Sequence, residues 1–135
     1  MLGDLIGEEQ GRITVQRVLP SEHGLPPSVE TTFQASGTLL GVTISDMGTY
    51  VGTLRPDGTL YGTGTGVIMS PDGAFASWQG TGVGTLGEGG TVSWRGSIVY
   101  LSDSPAFAGL RGVAGAFEWE TDQSGKASGK LWAWR

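Results

Sequence analysis

The sequence predicts an all-β protein: a single antiparallel up-and-down β-barrel of about eight strands, with one short helix near residues 104–110. The first observation behind this is a repeat. Arg55 to Ser70 reads RPDGTLYGTGTGVIMS and Pro71 to Gly84 reads PDGAFASWQGTGVG, so a Pro-Asp-Gly turn is twice followed by a short apolar entry and then by alternate glycines. Asp57 and Asp72 lie 15 positions apart, which suits one strand plus one tight turn. The second observation is the alternation itself. Gly62, Gly64 and Gly66 share one face of a strand, and Gly80, Gly82 and Gly84 share one face of the next, because successive side chains point to opposite sides. Glycine weakens a strand unless the sheet bends there or something bulky lies close against the backbone. Aromatic rings crowded into a structural corner would meet that condition, and so would a ligand. The third observation is composition: 25 glycines, few helix-forming runs and recurrent turn signals in 135 residues, the length of one domain.

Residues 1–10 read as a flexible N-terminal arm ahead of a barrel spanning 11–135. A first strand is expected from Arg12 to Leu19, and Pro20 to Pro27, with its paired prolines, is a loop. His23, the only histidine, lies in that loop between Glu22 and Gly24 and reads as a solvated residue rather than a catalytic base. A second strand runs from Ser28 to Leu40. Val42 to Arg55 then alternates, with Val42, Ile44, Asp46, Gly48, Tyr50, Gly52 and Leu54 on the face apolar enough to point inward. That register takes Asp46 inward too, where a carboxylate is costly unless paired or hydrated. The other reading has Asp46 serving an Asp46-Met47-Gly48 bend. After the repeated unit, Gly87 to Gly90 turns, and Thr91 to Leu101 sets Val92, Trp94, Gly96, Ile98 and Tyr100 against Ser93, Arg95 and Ser97. Ser104 as N-cap and Pro105 at the first helical position start the helix, Gly109 or Gly112 ends it, and its expected role is to cover one barrel end. Val113 to Thr121 opposes Phe117 and Trp119 to Ala116, Glu118 and Glu120, and Ala127 to Arg135 closes the sheet. Leu131, Trp132, Ala133 and Trp134 make this last strand apolar on both faces. Cover from a second copy, in a homodimer or homotrimer, or from the helix would account for that.

Charge and composition remove several function classes. A formal charge of -5, with Lys126 and Lys130 the only lysines, offers no basic patch for nucleic acid or for an anionic membrane surface. Without cysteine there is neither a disulfide framework nor a thiolate metal site, and no metal is expected from one histidine and aspartates spent on turns. No asparagine means no N-glycosylation site. No cofactor is expected either. The G-x-G-x-G spacing continues as strand through Val67-Ile68-Met69-Ser70, whereas a phosphate cradle needs a helix N-terminus, and Gly129-Lys130 is followed by Leu131. The opening MLGDLIGEE lacks the basic and apolar regions of a signal peptide, and no apolar run approaches the ~20 residues of a membrane-spanning helix, so the cytoplasm is the expected compartment.

With the glycine and aromatic faces turned inward, the interior has one glycine wall and aromatic walls elsewhere. The candidate ligand-binding residues are Tyr50, Leu60, Trp78, Trp94, Tyr100, Phe117 and Trp119. With the opposite register the strip faces outward and meets another subunit or the helix. No nucleophile triad assembles around the lone His23. Glu118 and Glu120 share a strand face and read as solvated rather than as glycosidase carboxylates. Arg95 and Glu118 read as a cross-strand ion pair on the outer surface. In the inverted register they would enter the pocket and orient a carboxylate or enolate, so the polar candidates are Asp46, Arg95 and Glu118.

The passage Tyr100-Leu101, a short helical turn, and then Leu110-Arg111-Gly112-Val113-Ala114-Gly115-Ala116-Phe117-Glu118 resembles the Gly-x-x-Gly-x-Phe passage of the allene oxide cyclase-like barrel superfamily. That superfamily includes dirigent proteins and small bacterial barrels that fold reactive polyketides into rings. The resemblance implies a barrel of about eight strands with an apolar pocket, often in a homo-oligomer. It also implies, for members that catalyse, a cofactor-independent cyclase or isomerase that holds a flexible unsaturated molecule (polyketide, terpenoid or oxylipin-like) in one folded conformation. The plant cyclases are associated with an asparagine-held water and a cysteine, and this chain has neither residue, so their detailed mechanism does not carry over. The alternative class is a non-catalytic binder or a structural oligomer whose core its own rings fill. A cavity of at least ~300 Å³ among Trp78, Trp94, Tyr100 and Trp119 would favour the first class, and a packed interior the second.

Overall fold

The computed structural model describes residues 3–21 and 24–134. Eight antiparallel strands follow in chain order: β1 Leu5–Val18, β2 Val29–Leu39, β3 Val42–Leu54, β4 Leu60–Met69, β5 Phe75–Leu86, β6 Val92–Leu101, β7 Ala114–Thr121 and β8 Lys126–Trp134. Each pairs with its neighbours in sequence, and β8 pairs back onto β1, so the sheet is a closed up-and-down barrel with no free edge.

The turns explain why the strands follow one another so directly. In Arg55–Thr59 the Gly58 N–H donates to the Arg55 carbonyl at 3.0 Å and the Arg55 N–H to that of Thr59 at 2.7 Å, with Gly58 at φ +88°. Ser70–Ala74 repeats this pattern with Gly73 at φ +89°, and Asp122–Lys126 repeats it again with Gly125 at φ +88°. A turn capped by a left-handed glycine matches the twist of the strands it joins, and only glycine enters that conformation without steric cost. The Pro-Asp-Gly repeat is therefore a hairpin device, used a third time where the sequence no longer matches.

Two expectations are corrected, the N-terminal arm and the Ser104 cap, while the short helix itself is present. Leu5 to Gln10 is no flexible arm. It is the first part of β1, with Glu8 opposite Thr38 of β2 on one side and Lys130 of β8 on the other. Closure of the barrel requires this segment, since without it β8 would end in unpaired backbone. The expected helix is a kinked 3-10 segment, Pro105–Leu110, with Phe107 outside helical geometry. Ser104 does not cap it. The Ser104 hydroxyl instead accepts the Phe75 N–H at 3.0 Å and ties the segment to the start of β5. The covering role does hold: Phe107 and Leu110 are buried and belong to the core cluster with Leu39, Ile44, Ile68 and Ala76. The segment leaves the outer face of β8 uncovered, where Trp134 is 64% exposed.

The inward register is the one the alternation predicts. Ile44, Asp46 and Gly48 of β3, Trp78 of β5, Trp94 of β6, Trp119 of β7 and Leu131 and Ala133 of β8 are all buried. Rings and glycines face one another across the interior. A β-carbon on Gly48 or Gly66 would collide with the Trp78 indole, one on Gly62 with Trp94, one on Gly129 with Trp119, and one on Gly96 with Phe117. The glycine strip is thus filled by the chain's own aromatic rings along most of its length. Gly66→Ala is expected to destabilise the protein by about 1–3 kcal/mol through overpacking against Trp78, and Trp78→Ala by about 3–5 kcal/mol through a cavity. Urea titration followed by circular dichroism checks both values.

Candidate functional site

The interior is not wholly filled. A cavity of about 110 Å³ remains, lined by Phe33, Tyr50, Trp78, Trp94, Ile98, Tyr100, Phe117 and Trp119, with Gly64 and Gly80 in its wall. Gly64 and Gly80 are directly paired across β4 and β5, and the nearest neighbours of a β-carbon there would be backbone and the stems of Tyr50 and Ile98 rather than a ring. Phe33 organises the aromatic cluster. Its ring centroid stands 4.6 Å from that of Trp119 and 6.2 Å from those of Trp78 and Tyr50, while Tyr50 meets Trp94 edge-on at 5.7 Å. Offset and edge-to-face contacts of this kind suit the charge distribution of aromatic rings.

Of the seven residues expected to line a pocket, six do so: Tyr50, Trp78, Trp94, Tyr100, Phe117 and Trp119. Leu60 does not. It packs at the barrel end against the Trp94 cluster, where a β-carbon on Gly84 would meet it. Among the polar candidates, Asp46 is the interior one, 6% exposed and accepting the Trp78 Nε1–H at 2.9 Å. This removes the reading of Asp46 as a bend residue, because it sits mid-strand opposite Ala35 and Ile68. Arg95 and Glu118 lie on the outer surface: Arg95 Nε is 3.7 Å from Glu118, and Arg95 Nη1 is 2.6 Å from Glu120. They belong to an exposed ion-pair group worth little energetically, which the inward register of Trp94 and Trp119 forces, since neighbours on a strand face opposite sides. His23 lies outside the described residues.

One residue of the cavity was missed. Glu9 of β1 points into the same cavity, hydrogen-bonded to Asp46. The two carboxyls meet diagonally across β2, over Gly37 and Ala35, and Glu9 has Gly129 as its other neighbour. Only small residues separate them. The signal was the run Gly7, Glu9, Gly11, Ile13, whose alternation marks a strand face, but the neighbouring acids suggested a solvated tail.

The electrostatics follow from burial without a counter-charge. Ion pairs among the described residues join Arg17 to Glu30 and Arg95 to Glu118 and Glu120, and none reaches Asp46 or Glu9. Burial, then the Asp46 charge and the hydrogen bond to it, push the Glu9 carboxyl up to about 10, so it keeps its proton at neutral pH. Burial also raises Asp46, while hydrogen bonds from Glu9 and Trp78 favour its ionised form. The Tyr100 hydroxyl is raised well above its ordinary range by burial and by the nearby Asp46 and Glu9. A second polar group of the interior is at Trp119. Trp119, 8% exposed, has its Nε1–H buried with no hydrogen-bond partner. The Tyr50 hydroxyl is raised by burial, opposed by the side chains of Trp119 and Thr31; its approach to Trp119 falls short of hydrogen-bond geometry. No group of three or more His, Cys, Asp or Glu among the described residues could hold a metal ion, and no helix there is long and apolar enough to cross a membrane.

Fold and site together define a small closed eight-stranded β-barrel with an aromatic interior and an interior carboxyl pair, Asp46 buried and Glu9 half-buried. The fold is shared with a protein of unknown function from Clostridium acetobutylicum ATCC 824, at a TM-score of 0.84 and 12% identity over 100% of both chains. It is shared equally with the conserved protein of unknown function RPA1785 from Rhodopseudomonas palustris, at 0.82 and 12% identity, covering 98% of this chain and 97% of that one. At such identity the likeness is one of fold alone. No protein-family model and no curated protein matches the chain.

The carboxyl pair makes stability pH-dependent. Glu9 binds its proton more tightly folded than unfolded, so its contribution is complete below an ordinary carboxyl value near 4.5 and is withdrawn as pH rises towards about 10. Thermal melts across that interval are expected to show wild-type Tm falling with pH and Glu9→Gln falling less steeply. Equal slopes for the two proteins would contradict the assignment.

Proposed function

We propose that the barrel is a small-molecule binding protein that takes one compact, mainly apolar guest with a polar head into the cavity between Trp78, Tyr50 and Trp119. The observation that carries this reading is a mismatch inside an otherwise apolar, ring-lined space. The indole N–H of Trp119 is buried without a partner, and a carboxyl pair lines the same cavity with no ion pair to either member. A buried unsatisfied donor costs about 1–3 kcal/mol, which a guest's acceptor atom would offset.

The size of the space selects among guests. A cavity of roughly 150 Å³ lined by apolar side chains accommodates benzene, so 110 Å³ suits a ring of that size or smaller. This is well below the several hundred Å³ of pockets for drug-sized molecules, and it argues for a fragment-sized unsaturated or cyclic compound over an extended polyketide, terpenoid or oxylipin chain. The resemblance of Leu110 to Glu118 to the allene oxide cyclase-like barrels supports cofactor-independent isomerisation or cyclisation as the activity of such a site. The reading of a self-filled structural barrel has its own support, since the rings of Trp78, Trp94 and Phe117 lie against Gly62, Gly66, Gly82 and Gly84 of the glycine strip.

Titrating the protein with benzene, cyclopentanone and cyclohexanone while following tryptophan fluorescence separates these readings. Saturable quenching is expected for wild type. Gly80→Val would place methyl groups in the cavity, its β-carbon 3.3 Å from the Ser97 carbonyl oxygen and 3.7 Å from Ile98, and is expected to weaken binding at least about tenfold, with circular dichroism checking that the fold is kept. No response from any of the three ligands would favour the self-filled barrel.

A further inference from the structure

The cavity has two polar poles of opposite character, and the Phe33 ring packs beside an indole of each, Trp78 and Trp119. At one, the Asp46 carboxylate accepts the Trp78 Nε1–H at 2.9 Å and is hydrogen-bonded to Glu9, with the Tyr100 hydroxyl close to both. At the other, the Trp119 Nε1–H points away from Gly129, against which the far edge of its ring is packed, and the Tyr50 hydroxyl is its polar neighbour. The first pole can take a proton. The second offers two donors, the Trp119 N–H and the Tyr50 O–H, and the indole donor is unspent.

We propose that this cavity is an enolisation site for a small cyclic or unsaturated ketone, with Asp46 as the base and Trp119 and Tyr50 as the donors that hold the enolate oxygen. The inference rests on the small-molecule reading above and deepens it.

The chemistry balances with no external reagent. The α-carbon C–H bond of the ketone breaks, and its proton forms an O–H bond on Asp46. The C–H electron pair becomes the carbon–carbon double bond of the enolate, and the carbonyl π pair moves onto oxygen, where the Trp119 N–H and Tyr50 O–H receive the charge. Asp46 then returns a proton, either to the same carbon, which gains deuterium in D₂O once the Asp46 O–H has exchanged with solvent, or to the γ-carbon of a β,γ-unsaturated ketone, which moves the double bond into conjugation. Glu9 keeps its proton and acts as a positioning residue, donating to Asp46 and fixing which oxygen faces the guest. Two of the lone-pair sites of Asp46 are used by Trp78 and Glu9, and a carboxylate has about four. A base able to reach the substrate is therefore left. The apolar walls make Asp46 more basic than a solvated carboxylate and strengthen the donors opposite it.

The site lacks what other reactions would need. No side-chain cation pairs with Asp46 or Glu9 among the described residues, and Lys130, the cation in the lining, is an exposed residue opposite Glu118 of β7. A neutral guest whose charge develops on one oxygen during the reaction matches a pocket with donors at one end and a base at the other.

The test is α-deuterium exchange of cyclopentanone and cyclohexanone in D₂O, followed by proton NMR, together with the absorbance change as β,γ-unsaturated cyclohexenone becomes conjugated. Wild type is expected to exceed buffer in both assays. Asp46→Asn is expected to lower the rate about 100-fold or more, and Trp119→Phe to lower it about 100-fold. Trp119→Phe should also abolish any preference for cyclohexanone over its isostere methylenecyclohexane, an effect that loss of packing alone would not produce. Should Asp46→Asn fail to fold, Trp119→Phe, which keeps an aromatic ring, carries the test. If benzene and the ketones bind by fluorescence but wild type exchanges no faster than buffer, enolisation is overturned and the binding reading survives. If none of them binds, both are overturned. An unchanged rate in a folded Trp119→Phe variant would refute the role of the donor pole.

Discussion

An eight-stranded barrel is barely wide enough for side chains, and everything in this protein follows from how three indoles are made to fit inside it. Trp78 occupies space that β-carbons on Gly48 and Gly66 would take, Trp94 that of Gly62, and Trp119 that of Gly129. Large and bare positions alternate around the wall so that each ring lies on backbone. The cost is carried by the strands, because glycine gives up more backbone entropy than any other residue. Closure compensates: with β1 paired to β8, every strand has two neighbours and none depends on its own propensity.

The polar groups of the interior inherit their chemistry from this packing. Small residues on β2 and β8 leave room for Glu9 and Asp46 to meet over Gly37 and Ala35, and the Trp78 N–H is delivered to Asp46 by the same ring that covers Gly48 and Gly66. Burial then does to two carboxyls what water would prevent, raising both and leaving one protonated. The cavity survives at Gly64 and Gly80, where two bare positions pair directly and a β-carbon would meet backbone and the stems of Tyr50 and Ile98 rather than a ring. A structural rule that fills most of the barrel thus also decides where it stays open.

How legible this was depended on whether a feature repeats along the chain or across it. Alternation placed Trp78, Trp94, Trp119 and Asp46 inside, because side-chain direction in a strand is a local property. The same rule put Arg95 and Glu118 outside once Trp94 and Trp119 were inward. Leu60 satisfied the alternation yet lies off the cavity, since its depth along the barrel depends on the stagger between strands, which local pattern does not carry. Glu9 was harder still. Its glycine flanks in β2 and β8 are far away in sequence, so the bare surroundings that admit a carboxyl could not be seen from the acids beside it.

By itself the sequence determined the fold class, the turn positions and the face each ring takes, all of which rest on short-range geometry: a left-handed glycine ends a strand, and a period of two sorts its sides. Tertiary structure alone decided that Leu5 to Gln10 closes the barrel, that Glu9 meets Asp46, that the Trp119 N–H goes unpaired and that about 110 Å³ is left among the rings. The reason is physical. Pairing register, barrel stagger and the volume between packed rings are set jointly by all eight strands, and no single stretch of chain contains them.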